Sequence, residues 1–142
     1  MRHDKLFTLA EVNALIPQLE LSMEKMQRIN LTVREEIEAL TRERGEPHLP
    51  ELSIPQLLRL KPSLRPLFED LAQAVQDIEK HGCHFKGLEL GLVDFPAQLG
   101  GEVVELCWQY GEKEIAFYHR LDKGFAGRQP LKLQPRKPQY YQ

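Results

Sequence analysis

Leu9, Val12, Ile16, Leu19, Met23, Met26, Asn30, Val33, Ile37 and Leu40 recur at alternating spacings of three and four residues. This is a heptad seam with one polar member, Asn30, and it predicts one long helix. Thr8 and Glu11 have the spacing of a capping box, in which each side chain accepts the backbone N–H of the other residue. Phe7 before that cap and Val12 beyond it are placed for a hydrophobic staple, so the helix starts at Thr8. It runs to about Arg44, where Gly45, Glu46 and Pro47 end it. Pro17 cannot donate to the carbonyl of Asn13 and its ring crowds that turn, which predicts a kink or a break. Asn30 either faces a symmetry mate and sets register, or lies at a solvated edge with Ile29 taking the core position.

Residues 45–62 hold Pro47, Pro50, Pro55 and Pro62 and form a connection, with a short turn of helix around Gln56–Leu60 opened by Pro55. A second helix is expected from about Ser63 to Lys80, with the stripe Leu64, Leu67, Phe68, Leu71, Val75 and Ile78 and a stop at Gly82. At about 1.5 Å per residue the first helix is roughly 55 Å long and the second roughly 27 Å. The excess seam must be covered by the connection, by the sheet or by a second copy of the chain. A homodimer along the seam is therefore expected; the alternative is that the seam is the buried face of an intrachain helical hairpin.

From Phe85 the period changes to two. Leu88, Leu90 and Leu92 lead to Val93 and Phe95, and Pro96 closes that strand. Gly100-Gly101 marks a turn; Val104, Leu106 and Trp108 alternate in a second strand; Gly111-Glu112 marks another turn; Ile115, Phe117 and His119 alternate in a third. A two-residue loop at Gly111-Glu112 pairs Trp108 with Ile115, Leu106 with Phe117 and Val104 with His119. That register gathers the large apolar residues on one face. It sends Cys107 to the other face, away from His119. The expectation is an α+β fold: a long helical hairpin packed on a small three-stranded antiparallel β-meander. It forms a single domain over residues 1–142, with the hairpin at 8–81, the sheet and its loop at 85–128, and an extended proline-rich, basic tail at 129–142.

The chain has 142 residues, 42% of them hydrophobic and 28% charged, with a formal net charge of -2. This suits a globular protein able to bury its own core. It lacks the basic field of a general nucleic-acid or membrane-surface binder, so neither partner is expected, whereas a protein partner is compatible. Met1–Lys5 lacks the apolar core of a signal peptide and no apolar run approaches the ~20 residues of a membrane span, so a cytoplasmic location is the default.

His81, Cys83 and His84, with Cys107 and His119 further on, could suggest zinc. There is no Cys-x-x-Cys pair, however, and the expected register separates Cys107 from His119, so no metal or cofactor is assigned. The same separation counts against a Cys107–His119 nucleophilic pair. Gly124-Phe125-Ala126-Gly127-Arg128 lacks the helix and Lys-Ser/Thr of a phosphate loop. The polar residues that stand out are Asp94, His119, Asp122 and Arg128, near strand ends and the loop after the last strand. They could bind an anion or do acid–base work, or form a hydrogen-bonding network that ties the loop to the sheet.

Phe7 to Pro17, Gly91-Leu92-Val93-Asp94-Phe95-Pro96, Leu106-Cys107-Trp108, Ile115-Ala116-Phe117-Tyr118-His119 and Gly124 to Arg128 together resemble the bacterial family known as domain of unknown function 2203. The resemblance covers nearly the whole chain apart from the connection and the tail. It implies no activity. Its matching positions include Asp94, Trp108, His119 and Arg128 but not His81, Cys83 or His84. The leading expectation is a non-enzymatic dimeric interaction or accessory protein. The competing one is a small-ligand or anion-binding protein, possibly an enzyme, using the polar cluster at the sheet edge.

Overall fold

The structure is a computed structural model that describes residues 5–45 and 52–131. The middle of the proline-rich connection and the tail from Lys132 onward lie outside the described residues. The chain divides into two compact units, one made by the residues up to Pro17 and from Gly82 onward, the other by Gln18–His81. No helix among the described residues is long and apolar enough to cross a membrane.

Helix α1 spans Leu9–Arg44. Its capping box is formed as expected: the Thr8 N–H donates to Glu11 Oε1 at 2.8 Å and the Glu11 N–H to Thr8 Oγ1 at 3.1 Å. The helix runs unbroken through Pro17, whose residue is exposed, so a break there does not occur. The boundary between the two units nevertheless falls just after it.

In the unit Gln18–His81, Leu19, Met23, Met26, Val33 and Leu40 of α1 are buried, while Ile29, Asn30 and Ile37 are half-buried. Helix α2 (Ile54–Leu60) carries a second capping box, from Ser53 and Gln56. A 3-10 turn, Pro62–Leu64, leads into α3 (Arg65–Glu79), and Leu64, Ala74 and Ile78 are buried. Lys61, just past α2, pairs with Glu36 of α1 at 3.0 Å, which sets the end of the connection beside the distal half of α1. Within one chain the seam residues Leu19, Met23, Met26, Val33 and Leu40 are thus shielded from solvent.

The other unit holds a five-stranded antiparallel sheet in sequential order, not the expected three strands. The strands are β1 (His84–Phe85), β2 (Leu92–Leu99), β3 (Glu102–Gln109), β4 (Phe117–Arg120) and β5 (Gln129–Pro130). The short edge strands carry no alternation long enough to register as a period. Leu88 and Leu90, expected in a strand, lie in the turn between β1 and β2. Pro96 does not close β2, which continues to Leu99. β1 pairs with β2 only at Asp94 and Val93, so at Pro96 that edge of β2 is open and a missing N–H costs no ladder bond. The Pro96 carbonyl instead accepts the N–H of Phe7 at 2.7 Å. Gly100 and Gly101, at φ 59° and 81°, make the two-residue turn between β2 and β3, as the sequence predicts.

The register between β3 and β4 is one residue away from the expected one. Glu105 lies opposite His119, Leu106 opposite Tyr118 and Cys107 opposite Phe117. The cause is Glu112. Its N–H donates to Gln109 O at 2.9 Å, its Oε1 accepts the Gln109 N–H at 2.7 Å, and its carbonyl accepts Trp108 Nε1–H at 3.0 Å. This folds the chain back on the end of β3 and makes the connection run from Tyr110 to Ala116 rather than over two residues. Ile115 then leaves the strand, its N–H bonded to Asn13 Oδ1 at 2.8 Å.

One sheet face carries Val93, Phe95, Ala97, Val104, Leu106 and Trp108, all buried. Phe7 packs edge-on against Phe95 there, with ring centroids 5.1 Å apart. The opposite face carries Asp94, Glu105, Cys107, Phe117 and His119. A period of two makes this separation automatic once the register is set.

Candidate functional site

The second sheet face is unusual for being both polar and buried. Asp94 is 4% exposed, His119 5% and Cys107 1%. β2 supplies Asp94 and β3 supplies Cys107 directly opposite it, while β4 supplies His119 opposite Glu105. The slipped register thus puts Cys107 and His119 on the same face, which corrects the expectation that they lie on opposite faces. Among the described residues, one group of three metal-ligating types comes together: a ligand atom from each of Asp94, Cys107 and His119 lies within 4.8 Å of the other two. His81, Cys83 and His84 do not form such a group.

His119 Nε2 lies 2.9 Å from Asp94 Oδ2, and His119 Nδ1 lies 2.9 Å from the carbonyl oxygen of Arg120. A carbonyl oxygen only accepts, so Nδ1 carries the hydrogen and Nε2 is the atom presented to Asp94. Burial, with the Asp94 carboxylate beside it, pushes the Cys107 thiol up to about 12. Cys107 is a protonated thiol at neutral pH and no activated nucleophile. Burial first and Asp94 second also raise Glu105, against the opposing pull of His84, His119 and Lys86. Glu105 Oε1 is buried and has no hydrogen-bond partner.

A cavity of about 270 Å³ opens over this cluster, with Asp94, Glu105, Cys107 and His119 among its lining and Leu121 to Phe125 (without Asp122) forming part of the wall. A larger cavity of about 430 Å³ lies by Leu6–Leu9 and Leu99. Its lining is mostly apolar, without converging ionisable groups, and supplies no chemistry.

Of the four residues singled out in the sequence, Asp94 and His119 meet. Asp122 is exposed in the turn after β4 and does not line the cavity. Arg128 has a structural set of partners. Its Nη2 donates to Glu112 Oε1 and Oε2 at 2.9 and 2.8 Å and to the Cys107 carbonyl at 3.2 Å. Its guanidinium stacks over Phe117 at 4.1 Å and Phe125 at 5.1 Å. That arrangement pins the loop after β4 to the folded-back Glu112. Cys107 and Glu105 were missing from the sequence selection because their faces follow from the register. The period-two spacing of Glu105 and Cys107, opposite in parity to Leu106 and Trp108, is the signal that carries them.

The family model described as Uncharacterized conserved protein (DUF2203) matches residues 5–131. No curated protein and no solved structure matches the chain.

Proposed function

The chain belongs to the domain of unknown function 2203 family, and from that premise, which carries no activity, we propose that the protein binds a small polar ligand in the cavity over Asp94 and His119. The observation that carries this reading is the buried Asp94–His119 contact at 2.9 Å on the lining of an open cavity. Buried ionisable groups are costly unless paired, and an ion-pairing couple exposed to a cavity is a frequent signature of a binding or acid–base site. The pair can exchange a proton with a bound molecule, so an enzymatic role lies within the same reading.

The interaction reading, a non-enzymatic homodimer along the α1 seam, rests on an apolar stripe left bare. Met23 and Met26 at its centre are 0% and 1% exposed within one chain, so the geometry favours the cavity. The proposal takes residues 8–81 as a helical hairpin and the protein as cytosolic; its two buried cysteines suit a reducing compartment.

A thermal-shift screen of small polar metabolites, run with a chelator present, tests it. At least one compound is expected to raise Tm by a few degrees in the native chain and to lose that effect in Asp94→Asn and His119→Gln. A screen without any stabilising compound, or one whose hits act equally on both variants, would contradict it.

A further inference from the structure

His119 Nε2 and Asp94 Oδ2 face each other at 2.9 Å, while the Nδ1 hydrogen is committed to the Arg120 carbonyl. Such a contact needs a positive species between its atoms, either a proton or a metal cation. Three further observations favour a cation. Cys107 Sγ belongs to the same group, within 4.8 Å of a ligand atom of Asp94 and of one of His119, and supplies a third donor. Glu105 Oε1, on the same cavity, is a buried carboxyl oxygen without a hydrogen-bond partner. The bond from His119 Nδ1 to a backbone carbonyl is the usual outer support of a metal-bound histidine, fixing both the tautomer and the ring plane.

We propose that Asp94, Cys107 and His119 form a three-ligand site for Zn²⁺, with the fourth coordination position open to the cavity. This deepens, and rests on, the reading of that cavity as the binding site. The ligand types select the ion: one sulfur, one imidazole nitrogen and one carboxylate oxygen suit zinc, whereas magnesium and calcium take oxygen ligands. Tetrahedral zinc, with bonds of about 2.0–2.3 Å, sets its ligand atoms roughly 3.3–3.8 Å apart. The 2.9 Å contact therefore opens slightly and the sulfur closes in, both within reach of side-chain rotation. Binding converts the Cys107 thiol to a thiolate and releases its proton to solvent, so zinc uptake acidifies a weakly buffered solution. Three protein ligands and an open position are the arrangement that lets zinc hold a water or a ligand atom.

The test uses the full chain, first stripped with a chelator, and Co²⁺ as a spectroscopic substitute for Zn²⁺. Expected is one bound Co²⁺ per chain with a near-ultraviolet thiolate-to-cobalt band, displaced by one equivalent of Zn²⁺. The chain has two cysteines, so the band's persistence in Cys83→Ala, or its loss in folded Cys107→Ser, each assigns the sulfur to Cys107. Asp94→Asn and His119→Gln are expected to weaken Zn²⁺ about tenfold or more. Absence of a thiolate band in the native chain overturns the proposal, as does a band that survives in Cys107→Ser. If the metal fails while the chelator-treated screen still yields a ligand sensitive to His119→Gln, the zinc site falls and the cavity reading stands.

Discussion

Asn13 Oδ1 accepts the backbone N–H of Ile115 at 2.8 Å, across a sequence separation of 102 residues. The first turns of α1 thereby hold the end of the β3–β4 connection and, with it, the start of β4. Asn13→Ala leaves that part-buried N–H without its partner and is expected to cost about 1–3 kcal/mol. Urea unfolding of the two chains, compared by midpoint at equal slope, measures it. Asn13→Asp keeps the acceptor and is expected to lose less.

Arg128 is expected to behave as a strut. Arg128→Ala removes a paired guanidinium that is only 13% exposed and leaves the Glu112 carboxylate without this cation, so it is expected to destabilise the fold by about 2–3 kcal/mol. Arg128→Lys is expected to recover only part of that loss, because an ammonium can meet Glu112 but cannot stack on Phe117 and Phe125 as a planar guanidinium does. Thermal melts of the three chains decide it. Full stability in Arg128→Ala would return Arg128 to the list of ligand-binding residues.

Gly91 closes the loop that leads into β2. It sits at φ 66°, and a Cβ placed there would lie 2.8 Å from Tyr110 Cβ, while its carbonyl accepts the Tyr110 N–H at 2.8 Å. Neither the backbone nor the neighbour can yield without breaking that bond. Gly91→Ala is expected to cost about 1–3 kcal/mol by chemical denaturation, whereas Gly87→Ala, with open space around it, lacks the steric part of that penalty.

Glu105 gives a pH dependence of defined sign. Its carboxyl is held above the ordinary 4.5 in the folded chain, by burial and then by Asp94. The folded state binds this proton more tightly than the unfolded one. Its contribution to stability is present below the unfolded value and is lost as pH rises through the folded value. Glu105→Gln removes that loss. As pH rises from the ordinary carboxyl value of 4.5, the Tm of the native chain is expected to fall relative to that of Glu105→Gln; parallel curves would mean that its surroundings do not raise the Glu105 carboxyl.

Much of the helical half was legible because its signals are local. The capping box at Thr8 and Glu11, the three-and-four spacing from Leu9 to Leu40 and the proline that opens α2, Pro55, each act within one or two turns. Pro17 was a strong local signal that did not break the helix. In the sheet half, the alternation of Val104, Leu106 and Trp108 identified β3, but pairing depends on how one loop folds. Gly111-Glu112 has the composition of a tight hairpin, and nothing nearby reveals that Glu112 bonds back to Gln109 and onward to Arg128. A one-residue slip exchanges the faces of a strand, so that loop alone decided whether Cys107 and His119 were apart or together. Asp94 and His119 could be selected from the sequence as polar residues in apolar strands; their contact could not.

The proton position on His119 tests the central geometry most directly. Long-range proton–nitrogen NMR of the histidine ring, on ¹⁵N-labelled full chain, distinguishes the two nitrogens. With Nδ1 held by the Arg120 carbonyl and Nε2 facing Asp94, Nδ1 is predicted to carry a hydrogen in the chelator-treated protein. Nε2 is predicted to be the nitrogen whose resonance moves on adding one equivalent of Zn²⁺. A bare Nδ1, or a zinc-induced change centred on Nδ1, would contradict the site.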